Sequence, residues 1–202
     1  MNRTLSAALS VLTLTSLFAC SARAAADKSH GEAMANCTQD LTPPKQIEMY
    51  LDGYHISKKD IPLPAEKQIQ FRAAHYCAHL PSGVFMCSVY DGNGPDAKLV
   101  AIEYVNPDEK YKSLSDSEKK YWHPHDEEVD TGLLKMPGLD PEKEKATLAF
   151  LRGTHGKTWQ VWPDPTQDLP LGEPVLLWSI DSKKINSATK KSVEERKSNP
   201  GF

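Results

Sequence analysis

FRAAHYCAHLPSGVFMCSVY, residues 71–90, is two runs of strand-forming residues around a three-residue break, Pro81-Ser82-Gly83. On either side of the break the residues change character with a period of two, the period of a pleated strand, and Gly83 suits the left-handed φ of a tight loop. The stretch therefore predicts an antiparallel hairpin. Folding it about Ser82 pairs Cys77 with Cys87, His79 with Phe85 and His75 with Val89. Strand side chains point alternately to opposite faces, so His75, Cys77 and His79 share one face. The opposed cysteines either bond as a disulfide, which an oxidising compartment permits, or pack as two buried reduced thiols. Cys37 is left over in either case.

Beyond the hairpin, Asp91-Gly92-Asn93-Gly94-Pro95 is a second turn cluster and residues 99–105 a third strand, which makes a meander. On the N-terminal side, Thr42-Pro43-Pro44 looks like a helix start, Ile47, Tyr50 and Leu51 recur at helical spacing, and Gly53 follows as a stop, so a short helix is predicted. After Leu114, Ser115-x-x-Glu118 predicts a capping box whose helix ends near Trp122, because Pro124 follows. Asp140-Pro141 opens another helix, with Leu148 and Leu151 on one face and Gly153 at its end. Gly153 to Thr158 reads as a tight turn, and residues 157–162 and 175–180 as strands around a Pro-rich loop. The expectation is an α+β fold, a mostly antiparallel sheet with a few short helices, in a single domain over residues 27–180.

The whole chain of 202 residues carries a formal net charge of −3 at a sequence pI of about 6.2, without the basic excess of a nucleic-acid binder. Residues 1–26 read as an export signal: Arg3, then an uncharged run from Leu5 to Ala19, then small residues. That run falls short of the roughly 20 residues a spanning helix needs, so no transmembrane helix is expected in the mature chain. Two cleavage patterns overlap. Ala22-Arg23-Ala24 and Ala24-Ala25-Ala26 suit ordinary release, whereas Leu17-Phe18-Ala19-Cys20 resembles a lipobox that would lipidate Cys20 and anchor the protein. A periplasmic or secreted location is expected from the first, an envelope-anchored lipoprotein from the second. Residues 181–202, with six Lys or Arg and three acids, read as a polar basic solvated tail.

Two groups of histidines carry the chemistry. His75 and His79 stand at i, i+2 on one strand face, a spacing that presents two imidazoles to one divalent metal, with a carboxylate as a usual third ligand. If the next turn pairs Tyr90 with Lys98, Glu103 falls on the row of His79, two strands and about 10 Å away. His123-Pro124-His125 gives the second pair, followed by Asp126, Glu127 and Glu128, and Pro124 keeps it extended. His55 is a weaker candidate. Trp122, Trp159, Trp162 and Trp178 either line an apolar pocket or fill the core. Phosphate-loop, dinucleotide, nucleophile-elbow and His-Glu-x-x-His templates are absent.

Six fragments also occur in a characteristic order: His75-Tyr76-Cys77-x-His79, Cys87-x-x-Tyr90-Asp91, Ile102-Glu103-Tyr104, Trp122-His123-Pro124-His125, Gly156-Lys157-Thr158-Trp159 and Leu169-Pro170-Leu171-Gly172. Over residues 49–179 they resemble the oil body-associated protein family. The resemblance implies a domain of unknown function without established catalytic residues, whose plant members are linked to lipid droplet organisation, and here an exported microbial member. Ala74 and Gln160 stand where that family often has further histidines. Two functional expectations follow. One is a non-catalytic envelope protein binding a small ligand, lipid or metal through His75, His79 and Glu103. The other is a metal-dependent hydrolase or oxidase in which His75, His79 and His123 or His125 hold the ion and Glu103 is the general base.

Overall fold

In the computed structural model, which describes residues 41–198, seven strands form one antiparallel sheet. They are β1 (Met49–Ser57), β2 (Gln70–His79), β3 (Phe85–Tyr90), β4 (Leu99–Pro107), β5 (His123–Pro124), β6 (Thr154–Gln160) and β7 (Val175–Trp178). The order is β4-β3-β2-β1-β7-β6-β5, and β4 also pairs with β6, so six of the strands close into a barrel and β5 lies along β6. Closure gives β4 and β6 partners along edges that would otherwise stay unpaired. Residues 43–198 belong to one compact unit. Six short helices accompany the sheet: α1 (Thr42–Lys45), α2 (Asp108–Lys112), α3 (Asp116–Lys119), α4 (Asp126–Asp130), α5 (Pro141–Leu151) and α6 (Ser187–Ser198). Among the described residues none is long and apolar enough to cross a membrane.

The hairpin takes the register its sequence dictates, Cys77↔Cys87, His75↔Val89 and His79↔Phe85, with Gly83 at φ 81°. Cys77 and Cys87 are disulfide-bonded, their Cα atoms 4.0 Å apart. One face of each strand lines the barrel interior. Leu51, Ala73, Cys77, Cys87, Val89, Ala101, Val105 and Leu177 are buried there, and Leu134, Met136, Leu148 and Leu151 join the same cluster. α5 is well specified: Asp140 accepts from the backbone N–H groups of Glu142 and Lys143, Pro141 fills the first turn, and Leu148 and Leu151 are the buried face.

Four local expectations give way. Residues 47–53 are not a helix beyond α1: Tyr50 and Leu51 lie in β1, and Gly53 is a close-packing position rather than a stop. A Cβ there would meet Leu134 Cδ1 at 3.2 Å and His75 Cε1 at 3.4 Å. Residues 153–158 are no tight turn, because β6 begins at Thr154 and finds partners on both edges. Ser115 caps α3 without a side-chain bond to it; its hydroxyl meets that of Ser117, and Glu118 accepts from Trp122 Nε1 and Lys157 Nζ instead. The segment expected to be a solvated tail forms α6. Asn186 caps it through Thr189 N, Val193 packs with Tyr54, Ile56 and Ile180, and Arg196 is buried, donating to the carbonyls of Asp52, Leu133 and Gly132. Residues 1–26, expected to be an export signal, and Cys20 and Cys37 lie outside the described residues.

Candidate metal centre

The barrel interior is apolar except around one carboxylate. Glu103 on β4 lies opposite Cys87 on β3 and Thr158 on β6, and the residue is 4% exposed. Three imidazoles face it: His75 Nε2 is 3.3 Å from Oε2, and His123 Nε2 and His125 Nε2 are each 3.5 Å from Oε1. His55 Nε2 meets His75 Nε2 at 2.9 Å, and the Thr158 hydroxyl donates to Glu103 Oε1 at 2.8 Å. Glu128, on α4, is buried beside them with Oε1 unpartnered.

The backbone explains why six such groups meet. Leu51, Gly53 and His55 alternate on the inner face of β1, with Leu51 paired to His75. β5 lays His123 against Gly156, and the backbone N–H of His125 donates to Thr154 O, which brings both histidines of the 123–125 segment to the barrel. Gly156 is the space they occupy: a Cβ there would overlap Glu103 Oε1, lie 2.6 Å from His125 Nε2 and 2.9 Å from His123 Cε1. The β3–β4 register sets Glu103. The ladder shifts between Val89 and Tyr90, pairing Tyr90 with Leu99 rather than Lys98 and Val89 with Ala101, so Val100 is bulged and its carbonyl accepts from Val161 and Trp162. Glu103 therefore moves off the row of His79 toward His75.

Of the residues expected at a site, His75, Glu103, His123 and His125 come together. His79 does not; it is exposed at the end of β2 and stacks on Phe85 at 4.6 Å. His55 joins them, as do Glu128 and the two supporting threonines, Thr154 and Thr158. The tryptophans are dispersed: Trp122 donates to Glu118, and Trp178 lies 5.7 Å from the His123 ring and under Lys58.

The protonation pattern is that of a ligand set. Burial would raise Glu103, but His125, His75 and His55 outweigh it and hold the carboxyl well below its ordinary range. Burial lowers His55 to about 4 and also lowers His75 and His123, leaving three neutral imidazoles at neutral pH. Burial raises Glu128 to about 8. For His125, burial acts downward, and the contact with Glu103 and the charge of Glu128 reverse it to a net rise. Its tautomer is fixed, because the Thr154 hydroxyl donates to Leu151 O and so accepts from His125 Nδ1 at 2.8 Å. His125 Nε2 then aims a lone pair at a carboxylate unless a proton or a metal ion stands between them. His123 has neither nitrogen hydrogen-bonded and is fully buried. Leaving such groups unpaired costs about 1–3 kcal/mol each.

Among the described residues three triads hold donor atoms within 4.8 Å of one another: His55, His75 and Glu103; Glu103, His123 and His125; and His55, His123 and Glu128. Any of them fits a divalent first-row metal. A cavity of about 20 Å³ lies at the cluster, lined by His55, His75, Glu103, His125 and Glu128 among others. That is room for about one water-sized ligand and too little for an organic molecule.

The family model described as "Protein of unknown function (DUF1264)" matches residues 41–202, which takes in the whole barrel and α6. Oil body-associated protein 1A of Zea mays is 35% identical over 147 residues, covering 72% of this chain and 59% of the relative. Oil body-associated protein 1B of Arabidopsis thaliana is 31% identical over 150 residues, covering 74% and 60%. Oil body-associated protein 2A of Arabidopsis thaliana is 34% identical over 142 residues, covering 70% and 55%. The chain thus spans between 55% and 60% of the length of these three relatives. No solved structure gives a significant match. On the family match and these identities, the chain belongs to the DUF1264 family and is a homologue of the oil body-associated proteins.

Proposed function

We propose that this protein is an exported, non-catalytic metal-binding barrel that holds a divalent transition metal among His55, His75, Glu103, His123 and His125. The observation that carries the reading is His123, a fully buried imidazole with no hydrogen bond at either nitrogen, 3.5 Å from an ionised carboxylate. A cation between them satisfies both groups, and the donor set of imidazoles and carboxylate suits zinc, iron, copper or manganese. Burial keeps His55, His75 and His123 in the neutral state a metal requires, whereas His125 would release a proton on binding. Thr154 and Thr158 fix the orientation of His125 and Glu103 from behind, as the outer partners of metal ligands do.

The small cavity favours an ion over the lipid or organic ligand that the sequence left open. Export draws on the leader-like residues 1–26 and on the Cys77–Cys87 disulfide, which suits an oxidising compartment. The relatives are oil body-associated by name; for this chain the same cavity leaves the lipid link to the outer surface. A second reading, metal-dependent hydrolysis or oxidation, draws on Glu128, a buried carboxyl raised to about 8 beside His125. The size of the cavity weighs against it for any but the smallest substrates.

The test is elemental analysis of the whole protein, purified without chelators or a polyhistidine tag. Near-stoichiometric metal, lost when His55 and His123 are both replaced by alanine, is expected. A protein that stays metal-free after equilibration with zinc, copper, iron and manganese would overturn the proposal.

A further inference from the structure

The donors of the cluster are divided into groups. Ligands on a single ion at about 2.1 Å cannot lie farther apart than about 4.2 Å. His55 and His75 form a triad with Glu103, and His123 and His125 form another with the same Glu103, but no triad joins His75 to either member of the second pair. The two carboxylate oxygens are divided in the same way. Oε2 faces His75 at 3.3 Å, and Oε1 faces His123 and His125 at 3.5 Å each. Thr158 bonds Oε1, which fixes the carboxylate plane between the two pairs.

We infer that the barrel holds two divalent ions bridged by Glu103, one on His55 and His75 and the other on His123 and His125. The inference rests on the metal-binding reading and deepens it. A carboxylate with one oxygen on each ion holds them about 3.5–4 Å apart. The 2.9 Å separation of His55 Nε2 and His75 Nε2 is just under that of two adjacent ligands on one ion, about 3.0–3.4 Å at ordinary metal–nitrogen lengths, so a small outward shift seats both. Glu128 completes the arrangement. Its triad with His55 and His123 draws one histidine from each pair, so its carboxylate is within reach of both ions, and its unpartnered Oε1 gains a ligand. Two divalent ions against two carboxylates leave two positive charges, and the cavity of about 20 Å³ takes one water or hydroxide to share between them.

The experiment is manganese(II) loading of the whole metal-free protein, with bound metal counted by elemental analysis after equilibrium dialysis and the spin state read by electron paramagnetic resonance. Two ions per chain with an exchange-coupled spectrum are expected. His75→Ala and His123→Ala, each checked for folding by circular dichroism, should each bind one ion and give an uncoupled spectrum. One ion in the unaltered protein overturns the two-ion inference and leaves the metal-binding reading standing. An absence of bound manganese overturns the two-ion inference, and overturns the metal-binding reading as well when zinc, copper and iron also fail to bind. Two ions without coupling place the second outside the Glu103 bridge and also overturn the inference.

Discussion

Gly156→Ala separates a glycine that makes room for a site from one that merely tolerates a strand. Gly156 sits in β6 with an ordinary negative φ, so backbone considerations alone favour alanine by about 0.4–1 kcal/mol through reduced freedom of the unfolded chain. The geometry reverses the sign. A Cβ would overlap Glu103 Oε1, approach His125 Nε2 to 2.6 Å and press on His123 Cε1 at 2.9 Å, and the cavity of about 20 Å³ beside Glu103 and His125 relieves only part of this crowding, since His123 is fully buried. Overpacking of this kind costs about 1–3 kcal/mol, a fall in Tm of roughly 2–12 °C at about 2–4 °C per kcal/mol for a domain of this size. Metal binding should fall with it, since Glu103 and both histidines of β5 and its end are displaced together. Gly94→Ala, with nothing within 4 Å of its Cβ, is the control; it should leave metal binding unchanged and raise stability by about 0.4–1 kcal/mol. Urea denaturation of the metal-free protein gives the stability and elemental analysis the binding. A Gly156→Ala protein as stable as the parent, with unchanged metal content, would refute the packing of Glu103 and the histidines around this position.

Arg196→Ala should loosen α6 by about 3 kcal/mol, since it removes three bonds to buried carbonyls and a 3.5 Å ion pair with the buried Asp52; unaltered protease resistance around residues 187–198 would contradict that role. Reducing the Cys77–Cys87 disulfide, which closes a short loop of sequence separation 10, should cost about 2–3 kcal/mol, read as a lower Tm with reductant than without; identical melting curves would count against the bond. Acidifying the metal-free protein sets the buried histidines against Glu128. His55 is neutral in the fold down to about pH 4, whereas the unfolded chain takes up its proton near 6.5, so its contribution is present above 6.5 and falls between 6.5 and 4, by about 3 kcal/mol from this residue alone. His75 and His123 act in the same sense; His125 and Glu128, whose carboxyl burial raises to about 8, act in the opposite one. Glu128→Gln removes that opposing contribution, and urea midpoints of this variant flat across the window would contradict three buried neutral imidazoles.

The hairpin was legible because a period-two pattern and a short glycine loop fix register locally; Cys77↔Cys87 follows from counting residues around Ser82. Barrel closure was not, because β4 meets β6 across some fifty residues that leave no periodic trace. Ile47, Tyr50 and Leu51 fit a helix as well as a strand, and the glycine that seemed to end the helix makes room for His75 instead. That misreading hid His55, whose place on the face of Leu51 and Gly53 shows only once β1 is a strand. Glu103 was found, yet the bulge at Val100 shifted it from His79 to His75, a displacement that no turn sequence announces. Glu128 lay within an acidic run, Asp126-Glu127-Glu128, whose composition suited a divalent metal and solvent alike. α6 escaped notice because it docks mainly through polar groups, Asn186, Thr189 and Arg196, with Val193 its chief apolar contact.

The central claim, that the buried histidines and Glu103 are metal ligands, is tested most directly by X-ray diffraction from crystals of the protein, with data collected on both sides of the absorption edge of the metal it contains or takes up. The account predicts an anomalous peak inside the barrel, at about 2.1 Å from imidazole nitrogens of the His55–His75 or His123–His125 pair and beside Glu103. Only water at that position, hydrogen-bonded to His123 in crystals equilibrated with metal, would contradict it.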